Sequence, residues 1–269
     1  MTKLPIFTTE KKKVGEHALP EQLQEPYRPD LIRRAVRAVL SRQREAYGKK
    51  PMAGMRHSTV VSKRRRDYKT SYGFGMSRAA RKVLSHRGTR MSWVGAFTPQ
   101  TRGGRRAHPS KTETQLVYKI NDKENRKALR SAAAANFDTT LVQLRGHKVP
   151  QEYPFILDSA VEEVKKTSVF EEALHKLGFT EELQRSAQKK IRAGKGKLRG
   201  RKYQQRKGLL LVVSKPCPLT QAAKNIPGID VVPVHALHAA VLAPGAMPGR
   251  VTLWTEAAVK LVEKENIWQ

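Results

Sequence analysis

Acidic residues are scarce in this sequence: 23 Asp and Glu stand against 53 Lys and Arg among 269 residues, a formal net charge of +30. Self-repulsion on that scale opposes compaction, so the imbalance implies a polyanionic partner, and nucleic acid is the commonest one. Cysteine is nearly absent. The one present, Cys217, excludes an internal disulfide and any multi-cysteine zinc site, and between Pro216 and Pro218 it reads as a small buried hydrophobe. Aromatic residues make up only 6% of a chain that is 39% hydrophobic, enough for a modest core. Long apolar runs are missing too. The most apolar stretch, Val231 to Met247, is broken by Pro233, His235, His238 and Pro244, which argues against a membrane span. The start, Met1 to Pro5, lacks the apolar stretch of a secretory signal. These absences predict a soluble, intracellular chain.

The positive charge is unevenly spread. Lys49 to Lys111 holds 17 Lys or Arg against one acid, Asp67, and Arg185 to Lys207 holds 11 against none. The two segments therefore carry +27 of the +30, and the rest of the chain is close to neutral. The first segment shows no sustained helical or strand period. Its apolar residues (Val60, Val61, Phe74, Val83, Leu84, Trp93, Val94, Phe97) are too few to offset chain entropy. Neighbouring like charges about 10 Å apart in water cost roughly 0.4 kcal/mol each. Summed over the segment this reaches roughly 6 kcal/mol, comparable to the stability of a whole domain. Folded back as a two-limbed loop, the segment spans at most about 100 Å. Both basic segments are thus expected to be weakly structured without a polyanion.

Outside them the pattern alternates between strands and helices. An N-terminal strand precedes a helix capped by Asp30 and running to about Ala46, with Leu31, Ile32, Ala35, Val36, Val39 and Leu40 on one face and arginines on the other. Leu116 to Ile120 reads as a short strand, and Asn121 with Glu124 resembles a capping box for a helix through Ala135. Phe155 to Leu157 reads as a buried strand, and Thr167 or Ser168 begins a helix that stops at Gly178. Gly208 to Val213, nearly all apolar, has the composition of a central parallel strand. A short helix over Leu219 to Asn225, strands at Ile229 to Val232 and Val251 to Trp254, and a closing helix capped by Thr255 complete the series. Such alternation predicts an α/β layered domain with a mostly parallel central sheet flanked by helices, interrupted by a long extended internal loop. Residues 1–48 and 112–269 would form the body, and 49–111 the loop.

Chemistry-bearing motifs are wanting. Gly194, Gly196 and Gly200 miss the dinucleotide fingerprint by one position and precede the strong strand instead of following it. Gly196-Lys197 is followed by Leu198, not by the hydroxyl residue of a phosphate-binding loop. No G-x-S-x-G or H-E-x-x-H occurs, and His235 and His238, three apart, have no carboxylate cluster nearby. No cofactor, metal or catalytic residue is assigned. An RNA-processing enzyme and a DNA-compacting protein remain alternative classes.

RNA binding has better residues. The long insert interleaves Tyr68, Tyr72, Phe74, His86 and Trp93 with cations, and such planar groups stack on bases while Arg and Lys meet phosphates. Eleven of its 17 cations are Arg, suited to bidentate phosphate contacts. The candidate contacts are Arg33 and Arg37 on the first helix. In the insert they are Arg56, Lys63, Arg64, Arg65, Arg66, Arg78, Arg81, Lys82, Arg87, Arg90, Arg102, Arg105, Arg106, His108 and Lys111. In the second segment they are Arg192, Lys195, Lys197, Arg199, Arg201, Lys202 and Tyr203.

Several stretches, in order and spacing, are shared with a known family. They are Arg28-Pro-Asp-Leu-Ile-Arg33, Gly95-Ala-Phe97 with Arg102-Gly-Gly-Arg105, Ala107-His-Pro109 with Lys111-Thr-Glu113, and Asn121-Asp-Lys-Glu124 with Arg130-Ser-Ala132. Later come Ala193-Gly-Lys-Gly196 with Arg199-Gly-Arg-Lys-Tyr203, and Leu242-Ala-Pro-Gly245 with Pro248-Gly-Arg250. On these the chain resembles the family of large-subunit ribosomal protein four in its archaeal and eukaryotic branch, over most of its length. Ending at residue 269, it is most similar to archaeal members. The resemblance implies a cytoplasmic protein of the large ribosomal subunit that binds large-subunit rRNA and assists assembly. Its loop, roughly Tyr47 to Lys111, would line the peptide exit tunnel near ribosomal protein twenty-two and meet the nascent polypeptide. By position the tunnel-lining tip is Tyr72, Gly73, Phe74, Gly75, Met76 and Arg78. Relatives usually carry Gly-x-Gly-Arg there, whereas here Met76 follows Gly75, and which side chain faces the lumen stays open.

Overall fold

A computed structural model describes residues 3–59, 61–66, 71–73, 75–88 and 90–268. Its strands are β1 (Lys3–Phe7), β2 (Lys13–Ala18), β3 (Arg81–Arg87), β4 (Arg90–Gly95), β5 (Ile156–Leu157), β6 (Lys189–Ile191), β7 (Tyr203–Gln205), β8 (Leu210–Val213), β9 (Asp230–Pro233) and β10 (Thr252–Thr255). The helices are α1 (Pro29–Arg42), α2 (Asp122–Ala135), α3 (Thr139–Leu144), α4 (Thr167–Lys176), α5 (Thr180–Ala187), α6 (Pro218–Lys224), α7 (Ala239–Leu242) and α8 (Glu256–Lys264). The chain divides into two units, one of residues 1–43 with 117–269 and one of residues 44–116.

The larger unit is built on a six-stranded sheet in the order β2-β1-β5-β10-β8-β9. Only the β1–β2 pair is antiparallel. The pairings β1–β5, β5–β10, β10–β8 and β8–β9 are parallel. β8 and β10 are buried at every position because both faces of the sheet are covered. Strand alternation sorts their side chains. Leu210, Val212 and Trp254 meet Ile32, Ala35 and Val36 of α1, Ala132 of α2 and Val259 and Val262 of α8 on one face. Leu211, Val213 and Leu253 meet Phe155, Phe170, Leu174 and Leu219 on the other. Each such side chain contributes about 1.5–3 kcal/mol by leaving water. This is the α/β arrangement that the apolar runs predict.

Local details differ from expectation. α1 starts one residue before Asp30, with Arg28 at the cap, because Pro29 suits the first helical position; Asp30 instead accepts from Arg28 at 2.7 Å. The helix ends at Arg42, short of Ala46. Residues 116–120 are not a strand: the Tyr118 amide donates to the Ser41 hydroxyl at 2.9 Å, outside the sheet. Asn121 does precede α2, but no side chain caps it, since Glu124 lies 3.2 Å from Arg34. Neither Thr167 nor Ser168 caps α4, which begins after Lys166. Thr255 does cap α8, accepting from the Ala258 amide at 3.3 Å.

The two basic segments hold more structure than their composition predicts. β3 and β4 pair antiparallel within the smaller unit. β4 alternates exposed and half-buried residues from Arg90 to Gly95, a period of two masked in the sequence by the density of cations around it. In the second segment β6 pairs with β7, Lys189 opposite Gln205 and Ile191 opposite Tyr203. Hydrophobicity could not show this hairpin, since every residue of its two strands is exposed.

Asn136, fully buried, ties the larger unit together. Its amide donates to the Thr252 hydroxyl at 3.0 Å, and its carbonyl oxygen accepts from the Gly249 and Arg250 amides at 3.1 and 3.0 Å. Gly249 has φ 82°, and a Cβ there would sit 2.6 Å from the Leu141 carbonyl, so the turn requires glycine.

Candidate nucleic-acid interface

Among the described residues of 44–116, only Ala96 is buried. The unit is held by backbone bonds such as Lys49 amide to Ser110 carbonyl, 3.0 Å, and by close approaches. Gly104, within the Arg102-Gly-Gly-Arg105 stretch, packs so tightly that a Cβ would fall 2.0 Å from the Thr98 carbonyl. Nearly all its cations face solvent: Arg56, Lys63, Arg64, Arg65, Arg66, Arg78, Arg87, Arg90, Arg102, Arg106 and Lys111 are exposed, with His108, while Arg81, Lys82 and Arg105 are half-buried.

Several of these cations are organised by rings. The Arg78 guanidinium lies 4.4 Å from the Tyr72 ring centre, with Arg65 at 5.9 Å, and Arg81 lies 5.5 Å from that of Trp93. Stacking fixes the guanidinium plane while leaving edge N–H donors for a phosphate. Arg81 also donates to the Ser77 carbonyl at 2.6 Å. Beside it a cavity of about 290 Å³ is lined by Val61, Ser71, Val83, Met91 and Trp93. Of the tip residues, Tyr72 and Met76 are half-buried and Gly73, Gly75 and Arg78 exposed; Gly73 and Gly75 have φ 81° and 65°. Phe74, with Val60 and Tyr68, lies outside the described residues.

In the larger unit α1 buries Ile32, Ala35 and Val36 and turns Arg33, Arg34 and Arg37 outward. These arginines line a cleft of about 650 Å³ with Asp30 and Met247. The β6–β7 hairpin presents Lys195, Lys197, Arg199, Arg201, Lys202 and Tyr203, all exposed, while Arg192 is half-buried and donates to the Arg201 carbonyl at 3.2 Å. Lys202 lies 5.4 Å from the Tyr203 ring centre.

At the base of that hairpin is a basic cleft of about 820 Å³; five of its basic residues fall in the Arg185 to Lys207 segment, but its assembly with Arg145 and His147 was not foreseen in the sequence. Arg145, His147, Arg185, Lys189, Lys190, Arg206 and Lys207 line it. Glu182, only 1% exposed, organises the floor: Arg185 donates to it at 2.6 and 2.8 Å, the His147 Nδ1 at 2.7 Å and the Lys148 amide at 3.0 Å. Burial raises the Glu182 carboxyl, but these donors outweigh it and hold the group down to about 2. Burial likewise pushes His147 below its ordinary value, and the Glu182 carboxylate 2.7 Å from Nδ1, an acceptor only, calls for the ring proton on that nitrogen. Burial, with Arg250 and Arg185 as neighbours, brings Arg145 down to about 10. Arg185 is three residues from Glu182, but His147 and Lys148 lie 35 and 34 residues away, so no local spacing could have revealed the whole set.

The other candidate features do not assemble into chemistry. Cys217 is half-buried at the start of α6, its sulfur 3.7 Å from the Thr220 hydroxyl. His235 is exposed, 3.5 Å from Glu265. No group of three or more His, Cys, Asp or Glu able to hold a metal occurs among the described residues. No described helix is long and apolar enough to cross a membrane.

Comparison with known proteins gives a consistent result. Residues 17–265 match the model of the ribosomal protein L4/L1 family. The chain is 41% identical over 266 residues to large ribosomal subunit protein uL4 of Nanoarchaeum equitans, covering 98% of this chain and 99% of that one. It is 43% identical over 264 residues to the uL4 of Methanococcoides burtonii, covering 98% of both. A third relative, the uL4 of Archaeoglobus fulgidus, is 41% identical over 91% of this chain and 92% of its own. Matched along nearly its whole length by archaeal relatives, the chain belongs to the ribosomal protein L4/L1 family.

Proposed function

We propose that this chain is a structural, non-catalytic constituent of the large ribosomal subunit in the cytoplasm that binds large-subunit rRNA and assists its assembly. The α/β unit docks on rRNA while residues 49–111 thread between RNA helices. The tip from Tyr72 to Arg78 lines the peptide exit tunnel near ribosomal protein twenty-two and meets the nascent polypeptide. A single observation carries this reading: two segments hold +27 of the net +30 charge, and the described part of the longer one buries only Ala96. A segment with that composition gains from a polyanion both counter-charge and contact.

The test is the salt dependence of binding to large-subunit rRNA. If about a third of the 28 cations in the two segments meet phosphates, the log-log slope is about −6 to −8. A slope shallower than about −2 removes the electrostatic basis of the reading. For the tunnel assignment, a photo-crosslinker at Met76 in assembled ribosomes is expected to capture a stalled nascent chain. Crosslinks only to solvent-side proteins overturn it.

A further inference from the structure

The cleft of about 820 Å³ below the β6–β7 hairpin combines fixed and free cations without enough acid to neutralise them. Arg185 is pinned by Glu182 and by the Lys207 carbonyl at 2.8 Å. Arg145 is pinned by the Pro244 carbonyl at 2.8 Å and reaches that of Pro248 at 3.4 Å. Both guanidinium planes are therefore set before any ligand arrives. Lys189, Lys190 and Arg206 on the walls are exposed and have no ion-pair partner among the described residues. Two acids lie nearby, and both are committed: Glu182 to Arg185 and His147, and Asp230 to Arg250 at 2.6 Å and Lys207 at 3.0 Å.

We propose that this cleft is a seat for RNA backbone phosphates, with Arg145 and Arg185 as its floor and Lys189, Lys190 and Arg206 as its walls. The inference rests on the RNA-binding reading above and assigns it a site on the α/β unit. Two features favour phosphate over an acidic protein. Arg145 and Arg185 each keep N–H donors beyond those that pin them, and a rigid floor presents these to phosphate oxygens at little ordering cost. The cleft also offers no large apolar side chain, only Pro244 and Gly245 among its polar lining, so it lacks the anchor pocket a protein interface is built around. The lowered value of Arg145 fits the same picture: burial is the main cause, the Arg250 and Arg185 cations add to it, and a bound anion would relieve both while the group stays charged. Glu182 is the positioning residue that fixes Arg185.

The experiment measures anisotropy of the full-length chain on labelled large-subunit rRNA across a salt series. Arg145→Gln and the double variant Lys190→Gln/Arg206→Gln are compared with the exposed control Lys215→Gln. Each phosphate contact removed lowers the slope magnitude by about 0.7–0.9. Both cleft variants are expected to lose at least that much and the control nothing. The double variant removes only exposed side chains, so it reports even where Arg145→Gln unfolds. Wild-type slopes in the cleft variants overturn this site while leaving the RNA-binding reading intact. A shallow slope in the wild type defeats both. If polyglutamate competes with the rRNA for wild type but not for the cleft variants, while their salt slopes match wild type, the seat belongs to an acidic protein and the proposal fails.

Discussion

Arg250 donates to Asp230 at 2.6 Å from a side chain only 1% exposed, joining the start of β10 to the start of β9. The same guanidinium donates to the Gly208 carbonyl at 2.9 Å and the Val241 carbonyl at 3.0 Å. Removing it strands buried carbonyls and leaves Asp230 only its exposed partner Lys207. Arg250→Met is expected to cost about 2–4 kcal/mol in urea unfolding. Arg250→Lys should recover little of that, because an ammonium cannot span three acceptors held by a planar fork. Full recovery by lysine would reduce the clamp to simple charge pairing.

Glu182 and His147 set the acid limit of the α/β unit. In the fold Glu182 sits at about 2 against an ordinary 4.5, so between those values the unfolded chain takes up the proton first. Stability from this group is therefore present above about pH 4.5 and lost as pH falls toward 2, on the order of 3 kcal/mol. His147 is also lowered from 6.5, so its unfolded form protonates first and stability begins to fall below about pH 6.5. Both act in the same direction. Glu182→Gln is expected to lower Tm at pH 7 and flatten its decline between pH 5 and 3. A parallel decline in variant and wild type would remove Glu182 from the acid response.

The sheet was legible because its central strands are apolar runs: Leu209 to Val213 has one reading, and the structure buries all five residues. Arg33 and Arg37 were legible for the same reason in reverse, since the buried period of Ile32, Ala35 and Val36 assigns the outer face by subtraction. Hairpins β3–β4 and β6–β7 were not: the period of two in β4 is lost among the surrounding cations, and β6 and β7, exposed at every position, leave no apolar alternation to read. The basic cleft was hidden for a different reason. Arg185 and Arg206 read only as parts of a charge run, and they become a site when the fold brings Arg145, at the end of α3, and His147 beside them. Long-range electrostatics has no sequence period.

Gly249 offers a sharp steric test. With φ 82° and a would-be Cβ 2.6 Å from the Leu141 carbonyl and 2.7 Å from its carbon, alanine meets backbone that cannot yield without moving α3. Its amide must also keep its bond to Asn136. Gly249→Ala is expected to cost more than about 2 kcal/mol by combined strain and clash. Thermal unfolding checks this, with Gly15→Ala, where a Cβ meets nothing within 4 Å, as the control. Equal effects at the two positions would mean that the close approach at Leu141 is not what requires glycine.

The β3–β4 hairpin decides whether residues 44–116 hold their shape unaided. Its cross-strand pairs, such as Val83 with Trp93 and His86 with Met91, contribute about 0.2–1 kcal/mol each, and exposed side chains gain little more. An isolated two-stranded hairpin is marginal in water, and neighbouring cations weaken this one further. In the RNA-free chain, amides of Arg81–Arg87 and Arg90–Gly95 are therefore expected to exchange orders of magnitude faster than those of β8 and β10, and proteases to cut here first. Adding large-subunit rRNA should slow that exchange while leaving β8 unchanged. Protection of the hairpin matching the central sheet without RNA would show that its own contacts suffice, and the polyanion would no longer be needed to explain its order.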